Sequence, residues 1–377
     1  MPRRPSVSIV VSSYNYAEFL RQAIDSALAQ TYPATVVVVD DGSTDDSRSI
    51  IRDFGDTVRP IFKENGGQAS AFNVGARSTE ADVVIFLDSD DVLLPTAVER
   101  AVEQFADDSV SKVHWPLVEM NRAGELMDRR YPPEPLLGGD LAERVARLGP
   151  KGYVWPPTSG NAWSRRFLDR VLPIPEHLFV TCPDLYLCAA APLMGRVGVV
   201  TEPQGCWRVH GANSSWSDPL DRRIELQHRM WDYAFDVIER LCAERGLACD
   251  RPAMSRASYW HQAYHYGRAI TRAVPAGEAF VLIDEGGLRL HEPVWGRRPV
   301  DFSQGEASWG EYWGPPPDDP TAVREFEKRR AAGATYAVIV RPSFWWLDHF
   351  VEFRRHLERE YREVCRNEDL VAFDLRK

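Results

Sequence analysis

Two runs of apolar, mostly β-branched residues in this chain each end in a cluster of carboxylates. The run 36–39 leads into Asp40 and Asp41, and the run 83–87 leads into the segment from Asp88 to Asp91. Runs this apolar are typical of strands buried on both faces of a parallel sheet. Because open α/β folds bind ligands where such strands end, we expect the acids to share one site. Because crowded carboxylates repel each other, we expect the site to bind a hard cation. Such a cation would in turn bind a phosphate group.

Alternating strand and helix patterns over the first hundred residues indicate βαβ units and a mostly parallel sheet. The predicted strands cover residues 7–13, 35–40, 58–63 and 82–87. Helices are predicted at 17–30, after a cap at Ser43 or Thr44, from Gly66 to about 77, and from Pro95 onward.

Beyond Phe105 the pattern loosens. Residues 112–120 and 205–210 are predicted as strands, 183–194 as a helix, 153–163 as an ordered loop over the sheet edge, and 219–273 as mostly helical. A second α/β unit follows, with strands at 280–283, 336–340 and 370–375 and helices at 321–332 and 348–360. The sequence thus predicts an α/β domain over 1–215, a helical connecting segment over 216–273, and a small α/β C-terminal domain of unassigned role over 274–377.

The formal net charge of −10 disfavours nucleic acid as a partner, because binding of that kind needs a basic face. No signal peptide is predicted, and no stretch approaches the ~18 apolar residues of an integral membrane segment. The six cysteines have no CxxC pair and no zinc-type spacing, which favours reduced thiols. We therefore expect a soluble, cytoplasmic protein, with peripheral contact at the inner membrane face if its acceptor is lipid-linked.

Asp88 and Asp90 are separated by one residue at the end of a predicted strand. Side chains two positions apart in an extended segment point to the same side, so both carboxylates can face one ligand. Mg²⁺ or Mn²⁺ commonly binds through one or two carboxylates and substrate phosphates, which suits a nucleoside diphosphate compound. A pair of aspartates alone is weak evidence, since acids also cap helices.

The earlier acidic cluster has a different expected role. Asp40 and Asp41 suit hydrogen bonds to a base or a ribose. Asn65-Gly66-Gly67 precedes a predicted helix whose N-terminus could face a phosphate. Simple turn and capping chemistry is the alternative for both segments.

Four segments, taken in order and spacing, resemble the GT-A-fold glycosyltransferases of the large inverting family two. They are Val7 to Asn15, Asp40 to Asp45, Asn65-Gly66-Gly67 with Asn73 and Gly75, and Phe86 to Asp91. The resemblance is strong over residues 1 to about 110, fair to about 215, and absent from the C-terminal third. It implies a Rossmann-like GT-A fold, with a mostly parallel sheet and flanking helices.

The resemblance implies a nucleotide-binding role for several residues near the strand ends. Ser13, Tyr14, Asp41, Asn65 and Gly67 fall at or beside the positions that hold the nucleotide, with Asp41 bonded to the base. These residues would then form one wall of the donor site.

The resemblance also implies a metal site for Mg²⁺ or Mn²⁺. Asp88 matches the acid near the ribose and the metal, and Asp90 matches the direct metal ligand. His210 is implied as a metal ligand or a diphosphate contact, although an ordinary histidine is the alternative. Further candidates for contacts with the diphosphate or the acceptor are Arg208, Trp207 and Asn161.

The family places its general base at an acid that precedes a helix, usually in a Glu-Asp pair. Here the segment reads Cys182-Pro183-Asp184, so the resemblance implies Asp184 as the base although the usual first acid is missing. Inverting transfer needs one carboxylate to deprotonate an acceptor hydroxyl, while metal and basic groups take up the charge of the leaving diphosphate. A helix cap is the alternative for Asp184.

These features favour a metal-dependent inverting glycosyltransferase that uses a nucleoside diphosphate sugar, with a UDP-sugar as the first expectation. The expected acceptor is a glycan or a lipid-linked glycan in surface-glycan or polysaccharide synthesis. A sugar nucleotidyltransferase is one alternative, but residues 12–16 contain no glycine, lysine or arginine to hold a triphosphate. A catalytically silent nucleotide- or glycan-binding protein is the other.

Overall fold

The computed structural model describes residues 4–211, 218–285, 287–288, 290, 292–302 and 314–376 of the 377-residue chain. Within these ranges the chain packs into two compact units. Positions 1–217 and 230–257 belong to the first unit, and positions 218–229 and 258–377 belong to the second. The domain boundaries at 215 and 273 stay a prediction.

The first unit contains eleven strands and nine helices in its described residues, one of the helices shared with the second unit. The strands are β1 (Val7–Ser13), β2 (Thr35–Asp40), β3 (Arg59–Phe62), β4 (Val83–Asp88), β5 (Val92–Leu93), β6 (Val110–His114), β7 (Leu117–Asn121), β8 (Leu126–Tyr131), β9 (Asn161–Ser164), β10 (Arg196–Val199) and β11 (Gly205–Val209). The helices are α1 (Ala17–Leu28), α2 (Ser47–Asp53), α3 (Gln68–Arg77), α4 (Ala97–Gln104), α5 (Ala142–Leu148), α6 (Arg165–Val171), α7 (Pro183–Ala190), α8 (Leu220–Arg245) and α9 (Arg251–Ala257).

A mostly parallel sheet forms the centre of this unit. Its seven described strands pair in the order β10-β6-β9-β4-β1-β2-β3, and only the two pairings made by β9 are antiparallel. Ser13 pairs with Asp40 and Ser12 pairs with Asp88, so both acidic strand ends lie at the same level of the sheet. The predicted α/β architecture is confirmed.

Strand β1 is apolar on both faces because helices cover both faces of the sheet. Ile9 and Val11 belong to a buried cluster with Leu20 of α1 and other residues of α1 and α4. Val10 points to the opposite face, where it meets Gly75 of α3. This two-sided burial accounts for the apolar runs from which the strands were predicted.

A smaller sheet lies next to the acidic edge. Its four described strands pair in the order β5-β11-β7-β8, with β7 and β8 forming an antiparallel hairpin. Strand β5 begins directly after Asp91, and β11 carries Trp207 and Arg208. The second sheet thereby brings Trp207 and Arg208 towards the Asp88–Asp91 segment.

The predicted helix at 348–360 is observed as two helices, Trp345–His349 and Val351–Glu360, and two predicted elements of the first unit also differ from those observed. Residues 112–120, predicted as one strand, form β6 and β7 in different sheets, separated at Trp115 and Pro116. Proline cannot donate a ladder hydrogen bond, which suits a break at this point. The predicted loop over 153–163 ends in β9, which inserts between β4 and β6. Its four residues are too few for a strand pattern to be read from the sequence.

The predicted cap of α2 by Ser43 or Thr44 is wrong, since the helix begins at Ser47. Ser43 Oγ instead accepts a hydrogen bond from the backbone N–H of Asn15 at 3.0 Å. The hydroxyl and the backbone N–H of Thr44 both donate to Asn15 Oδ1, at 3.3 and 2.8 Å. A tertiary contact with the loop after β1 has thus taken the groups expected to cap the helix.

The second unit contains a smaller α/β arrangement, as predicted. In its described part the strands are β12 (Ala279–Ile283), β13 (Arg298–Asp301), β14 (Tyr336–Val340), β15 (Arg362–Arg366) and β16 (Leu370–Asp374), paired in the order β13-β12-β14-β16-β15. The helices are α10 (Tyr259–Ala273), α11 (Asp319–Ala331), α12 (Trp345–His349) and α13 (Val351–Glu360). Across the described ranges of the whole chain, we find no helix with the length and apolar character that a membrane crossing requires.

Gly75 marks a close approach of α3 to β1. A Cβ atom here would lie 2.3 Å from Cγ1 of Val10. A glycine-to-alanine change inside a helix usually stabilises it by up to ~1 kcal/mol. We expect Gly75→Ala to do the opposite and to lower the free energy of unfolding by about 1–3 kcal/mol, because overpacking a buried contact forces neighbours to shift. Urea denaturation measures the change.

Val10→Ala supplies the control, because it removes the methyl group that the new Cβ would meet. Combined with Gly75→Ala, it should recover part of the lost stability, so the double variant should lose less than the sum of the single variants. Strict additivity would show that this contact does not limit the packing of α3.

Candidate active site

A cleft of about 440 Å³ opens where β1 and β4 end. Most residues predicted to form the site line this cleft, and they come from positions far apart in the chain. They are Ser13, Tyr14, Asp41, Asn65, Gly67, Asp88, Asp90, Asp184 and Trp207. All of them belong to the first unit.

Asp41 anchors the loop that follows β3. Its buried carboxylate accepts hydrogen bonds from the backbone N–H groups of Gly66 at 3.0 Å and Gly67 at 2.7 Å. Asn65 Nδ2 donates to it at 3.2 Å, and the Lys63 ammonium pairs with it. Both carboxylate oxygens are engaged, so a bond from Asp41 to a nucleotide base would have to replace or share one of these contacts.

Gln68 links Asp88 to the segment that precedes Asp184. Its Nε2 donates to Asp88 Oδ1 at 2.7 Å, and its Oε1 accepts from the backbone N–H of Cys182 at 3.2 Å. Burial, followed by the charges of Asp90 and Asp184, raises the pKa of Asp88 well above its usual value. A cation bound beside Asp88 would act in the opposite direction and favour its charged form.

Asp90 lies against His210, whose side chain is fully buried. His210 Nε2 is 3.1 Å from Asp90 Oδ2. The rings of Tyr16 and Phe19 pack on the imidazole with centroid distances of 5.7 and 5.0 Å. These contacts hold one carboxylate and one imidazole side by side.

The predicted metal ligands Asp88, Asp90 and His210 were tested against this geometry. Within the described ranges, no group of three or more His, Cys, Asp or Glu side chains is arranged to hold a metal ion by itself. Mg²⁺ commonly takes only one or two carboxylates and completes its shell with water and phosphate oxygens. The adjacent Asp90 and His210, with negative charge crowded at Asp88, fit a cation that shares its coordination with a substrate phosphate.

A buried arginine supports the turn that carries Asp90. Arg208 Nε donates to the carbonyl oxygen of Asp90 at 2.8 Å, and Nη1 donates to the carbonyls of Asn121 at 3.2 Å and Arg122 at 3.0 Å. The backbone N–H of Arg208 donates to Asp91 Oδ1 at 2.9 Å. Strand β11 therefore fixes the end of the Asp88–Asp91 segment.

Arg208 and Asn161, predicted to contact the diphosphate or the acceptor, do not line the cleft. The Arg208 guanidinium is used in the turn contacts just described. Asn161 is fully buried, and its Nδ2 donates to the carbonyls of Pro156 at 3.2 Å and Pro157 at 2.8 Å. Since Pro157 and Thr158 line the cleft, Asn161 supports its wall from behind. This placement argues against direct contact of either side chain with substrate.

Asp184 lies in the first turn of α7 and is 8% exposed. Cys182 occupies the cap position, so Asp184 is not the N-cap residue, but its Oδ1 accepts from the N–H of Leu185 in the first turn at 3.1 Å. Burial raises the pKa of Asp184 to about 6, whereas the N–H of Leu185 and the charge of Lys112 act to lower it. A carboxyl group that titrates near neutrality in a cleft is suited to accept a proton.

A buried lysine lies beside α7. Lys112 Nζ donates to Cys188 Sγ at 3.1 Å and to the Tyr153 hydroxyl at 3.3 Å. The rings of Tyr153 and Trp163 lie 5.0 and 5.3 Å from this nitrogen. Because Cys188 lies one helical turn beyond Asp184, the ammonium group contacts the helix that carries the candidate base.

Sequence reasoning missed Gln68, Tyr16, Thr158 and Lys112. The first three line the cleft, and Lys112 lies behind it. Gln68 follows the Asn65-Gly66-Gly67 motif directly, and that position was a signal that could have identified it. Lys112 gives no such signal, because lysines are mostly exposed and a lysine within a predicted strand is expected to face solvent.

Comparison with known proteins identifies the family. The model of glycosyl transferase family 2 matches residues 8–161. An uncharacterised glycosyltransferase of Nostoc sp. (strain PCC 7120) is 37% identical over 216 residues, which cover 56% of this chain and 67% of the relative. The chain therefore belongs to glycosyl transferase family 2. This membership confirms the predicted glycosyltransferase class and, with the observed sheet, the predicted GT-A type of fold.

Other relatives match over a smaller share of their length. The succinoglycan biosynthesis protein ExoU of Rhizobium meliloti is 32% identical over 177 residues, or 44% of this chain and 50% of that protein. Among solved structures, a fragment of S. aureus TarS in complex with UDP-GlcNAc superposes with a TM-score of 0.49 and 17% identity, covering 71% of this chain and 81% of that one.

The Arg208 side chain is expected to stabilise the turn at Asp90. Arg208→Met should lower the free energy of unfolding by about 3–5 kcal/mol, because buried carbonyl groups lose their donors. Arg122→Met is the control, since it removes an exposed guanidinium that pairs with Glu18 but leaves the backbone carbonyl in place. It should cost much less. Equal losses in chemical denaturation would contradict the structural role of Arg208.

Proposed function

We propose that this chain transfers a sugar from a nucleoside diphosphate sugar to an acceptor hydroxyl, with inversion at the anomeric carbon. The observation that carries this proposal is that Asp184 lines the same cleft as Asp88 and Asp90. A carboxylate suited to accept a proton therefore faces the cavity in which negative charge is crowded. Inverting transfer needs both features on one cavity.

The nucleotide of the donor would lie along the wall formed by Ser13, Tyr14, Asp41 and Asn65–Gly67. The Ser13 hydroxyl supports this position, because it is buried at 2% exposure, lines the cleft, and has no hydrogen-bond partner among the described residues. A buried hydroxyl without a partner is costly unless a ligand satisfies it. We take a UDP-sugar as the first candidate donor.

Charge on the leaving diphosphate must be offset as the bond to the sugar breaks. Mg²⁺ or Mn²⁺, when bound, would supply that positive charge. Asp90 and His210 would hold the ion with help from Asp88, and phosphate oxygens of the donor would complete its shell. Arg208 contributes by fixing the Asp90 backbone, which keeps the two candidate ligands in place.

Asp184 would act as the general base. The acceptor oxygen forms a bond to the anomeric carbon while the bond from that carbon to the diphosphate oxygen breaks, and the acceptor proton passes to the Asp184 carboxylate. Lys112 supports the charged form of this carboxylate from behind α7, which opposes the effect of burial.

We further propose surface-glycan or polysaccharide synthesis as the process, with a glycan or a lipid-linked glycan as the acceptor. The similarity to ExoU, a protein named for succinoglycan biosynthesis, supports this choice.

Donor binding is expected to depend on the metal and on Asp90. Calorimetry with UDP-glucose, UDP-GlcNAc and GDP-mannose, each in Mn²⁺ and in EDTA, should reveal a donor that binds only with the ion. Asp90→Asn should weaken that binding by about tenfold or more, which corresponds to the loss of at least ~1.4 kcal/mol. Asp46→Asn, at an exposed position outside the cleft, is the matched control and should bind as the wild type does. Binding that EDTA leaves intact would exclude the metal role.

Asp184→Asn should separate donor binding from transfer. The amide keeps the size of the carboxyl group but cannot accept the proton, so donor affinity should persist while the transfer rate falls by about 10²–10⁴-fold. Calorimetry and a product assay at saturating donor measure the two quantities. Loss of both together would contradict a role as base.

The pH dependence provides a second readout of the same role. Since Asp184 is the base in its charged form, wild-type transfer should decline as the pH falls through about 6. Lys112→Met should move this midpoint to higher pH, because the positive charge that favours ionised Asp184 is gone. A midpoint that stays unchanged, in a variant that still folds and binds donor, would remove Lys112 from the mechanism.

A further inference from the structure

A second cavity of about 490 Å³ lies on the β7–β8 hairpin of the first unit. It is lined by Glu119, Arg129, Arg130, Tyr131 and Pro133. Its volume lies in the range of roughly 300–1,000 Å³ that small-molecule sites occupy. Neither the sequence motifs nor the donor site described above account for it.

This cavity adjoins the cleft through two aromatic rings. Tyr131 lines the cavity and Trp207 lines the cleft, and their ring centroids are 4.8 Å apart with an interplanar angle of 41°. Trp207 is carried by β11, which pairs directly with β7 of the hairpin. The position of the aromatic pair is therefore set by the sheet.

The candidate base Asp184 lines the same cleft as Trp207 of the aromatic pair. The pKa of Tyr131 is raised by burial, then by the charge of Glu134, and then by the charge of Asp184. An acceptor held against Tyr131 would thus lie on the side of the cleft from which Asp184 can reach a hydroxyl. The donor-binding wall of Asp41 and Asn65–Gly67 is formed by other strands and loops.

The chemistry of the cavity is mixed rather than purely apolar. Tyr131 is 37% exposed, so its ring is accessible at the cavity wall. Arg129 pairs with Glu119 at 2.9 Å, which places a donor and an acceptor group at the cavity wall. A sugar ring offers one apolar C–H face and a rim of hydroxyls, so an aromatic face beside charged hydrogen-bonding groups is complementary to it.

We propose that the Tyr131–Trp207 pair and the cavity beside it form the acceptor subsite, and that the acceptor presents a saccharide ring there. This inference rests on the proposed function, because it assigns the second substrate of the same reaction. The saccharide packs against Tyr131, and the polar groups of Glu119 and Arg129 contact its hydroxyls. One of these hydroxyls then faces Asp184.

The test compares Tyr131→Ala with Tyr131→Phe and with Leu126→Ala. Leu126 lies on the same strand, is 65% exposed and does not line the cavity, so it is the matched control. Acceptor KM is measured at saturating nucleotide sugar with a panel of soluble oligosaccharides, and donor KM is measured beside it. Tyr131→Ala should raise acceptor KM about tenfold or more, while Tyr131→Phe, which keeps the ring, should raise it much less. The KM for the donor should stay close to the wild-type value in all three variants.

Binding of the same oligosaccharides without donor, followed by saturation-transfer NMR, separates this inference from the proposed function. If wild-type protein binds saccharide through Tyr131 but transfers no sugar, the proposed function fails, and only saccharide binding at Tyr131 stands. If wild-type protein transfers sugar and Tyr131→Ala matches Leu126→Ala in acceptor KM, the subsite is wrong and the proposed function stands. Melting temperatures of all variants show whether each one folds.

Discussion

The crowding of buried carboxylates at one edge of the parallel sheet is the constraint on which the site depends. The register of β1 with its two neighbours brings the ends of β2 and β4 to the same level. Several of these acids are neutralised locally: Arg48 pairs with Asp40, and Lys63 pairs with Asp41. The pKa of Asp88 is raised by burial and then by the charges of Asp90 and Asp184. The fold therefore places Asp88 and Asp90, two carboxylates that repel each other, at the wall of the cleft.

The environment of Asp184 combines two opposing effects. Burial favours the protonated form of a carboxyl group, and a nearby cation favours the charged form. Lys112 is itself buried, and it contacts a thiol, a hydroxyl and two aromatic rings. An ammonium group in such surroundings is weakly screened, so its field extends further than that of a surface lysine. This arrangement leaves Asp184 with a pKa of about 6, a value at which a base both accepts and releases protons readily.

How much of this could be predicted from the sequence depends on what determines each feature. The bounds of β1 and β2 were predicted correctly, because a strand buried on both faces has a continuous run of apolar residues. The carboxylates Asp41, Asp88 and Asp90 followed from the same signal, since topology fixes where parallel strands end. Tyr14, Asn65, Gly67, Asp184 and Trp207 were implied by the family resemblance instead. The direction of a long side chain cannot be predicted from such a pattern. Arg208, for example, donates to the carbonyl oxygens of Asn121 and Arg122. Lys112 was missed for the same reason, because its partners are distant in sequence.

The double hydrogen bond of Gln68 connects the two halves of the cleft. One amide side chain joins Asp88 to the backbone of Cys182, which has a φ of 54° at the start of α7. A change in the position of the Asp88 carboxylate would change the contact that Gln68 makes with the helix start preceding Asp184. Linkage requires such an effect to be mutual. One glutamine side chain thus bridges the strand end that carries Asp88 and the helix start that carries Asp184.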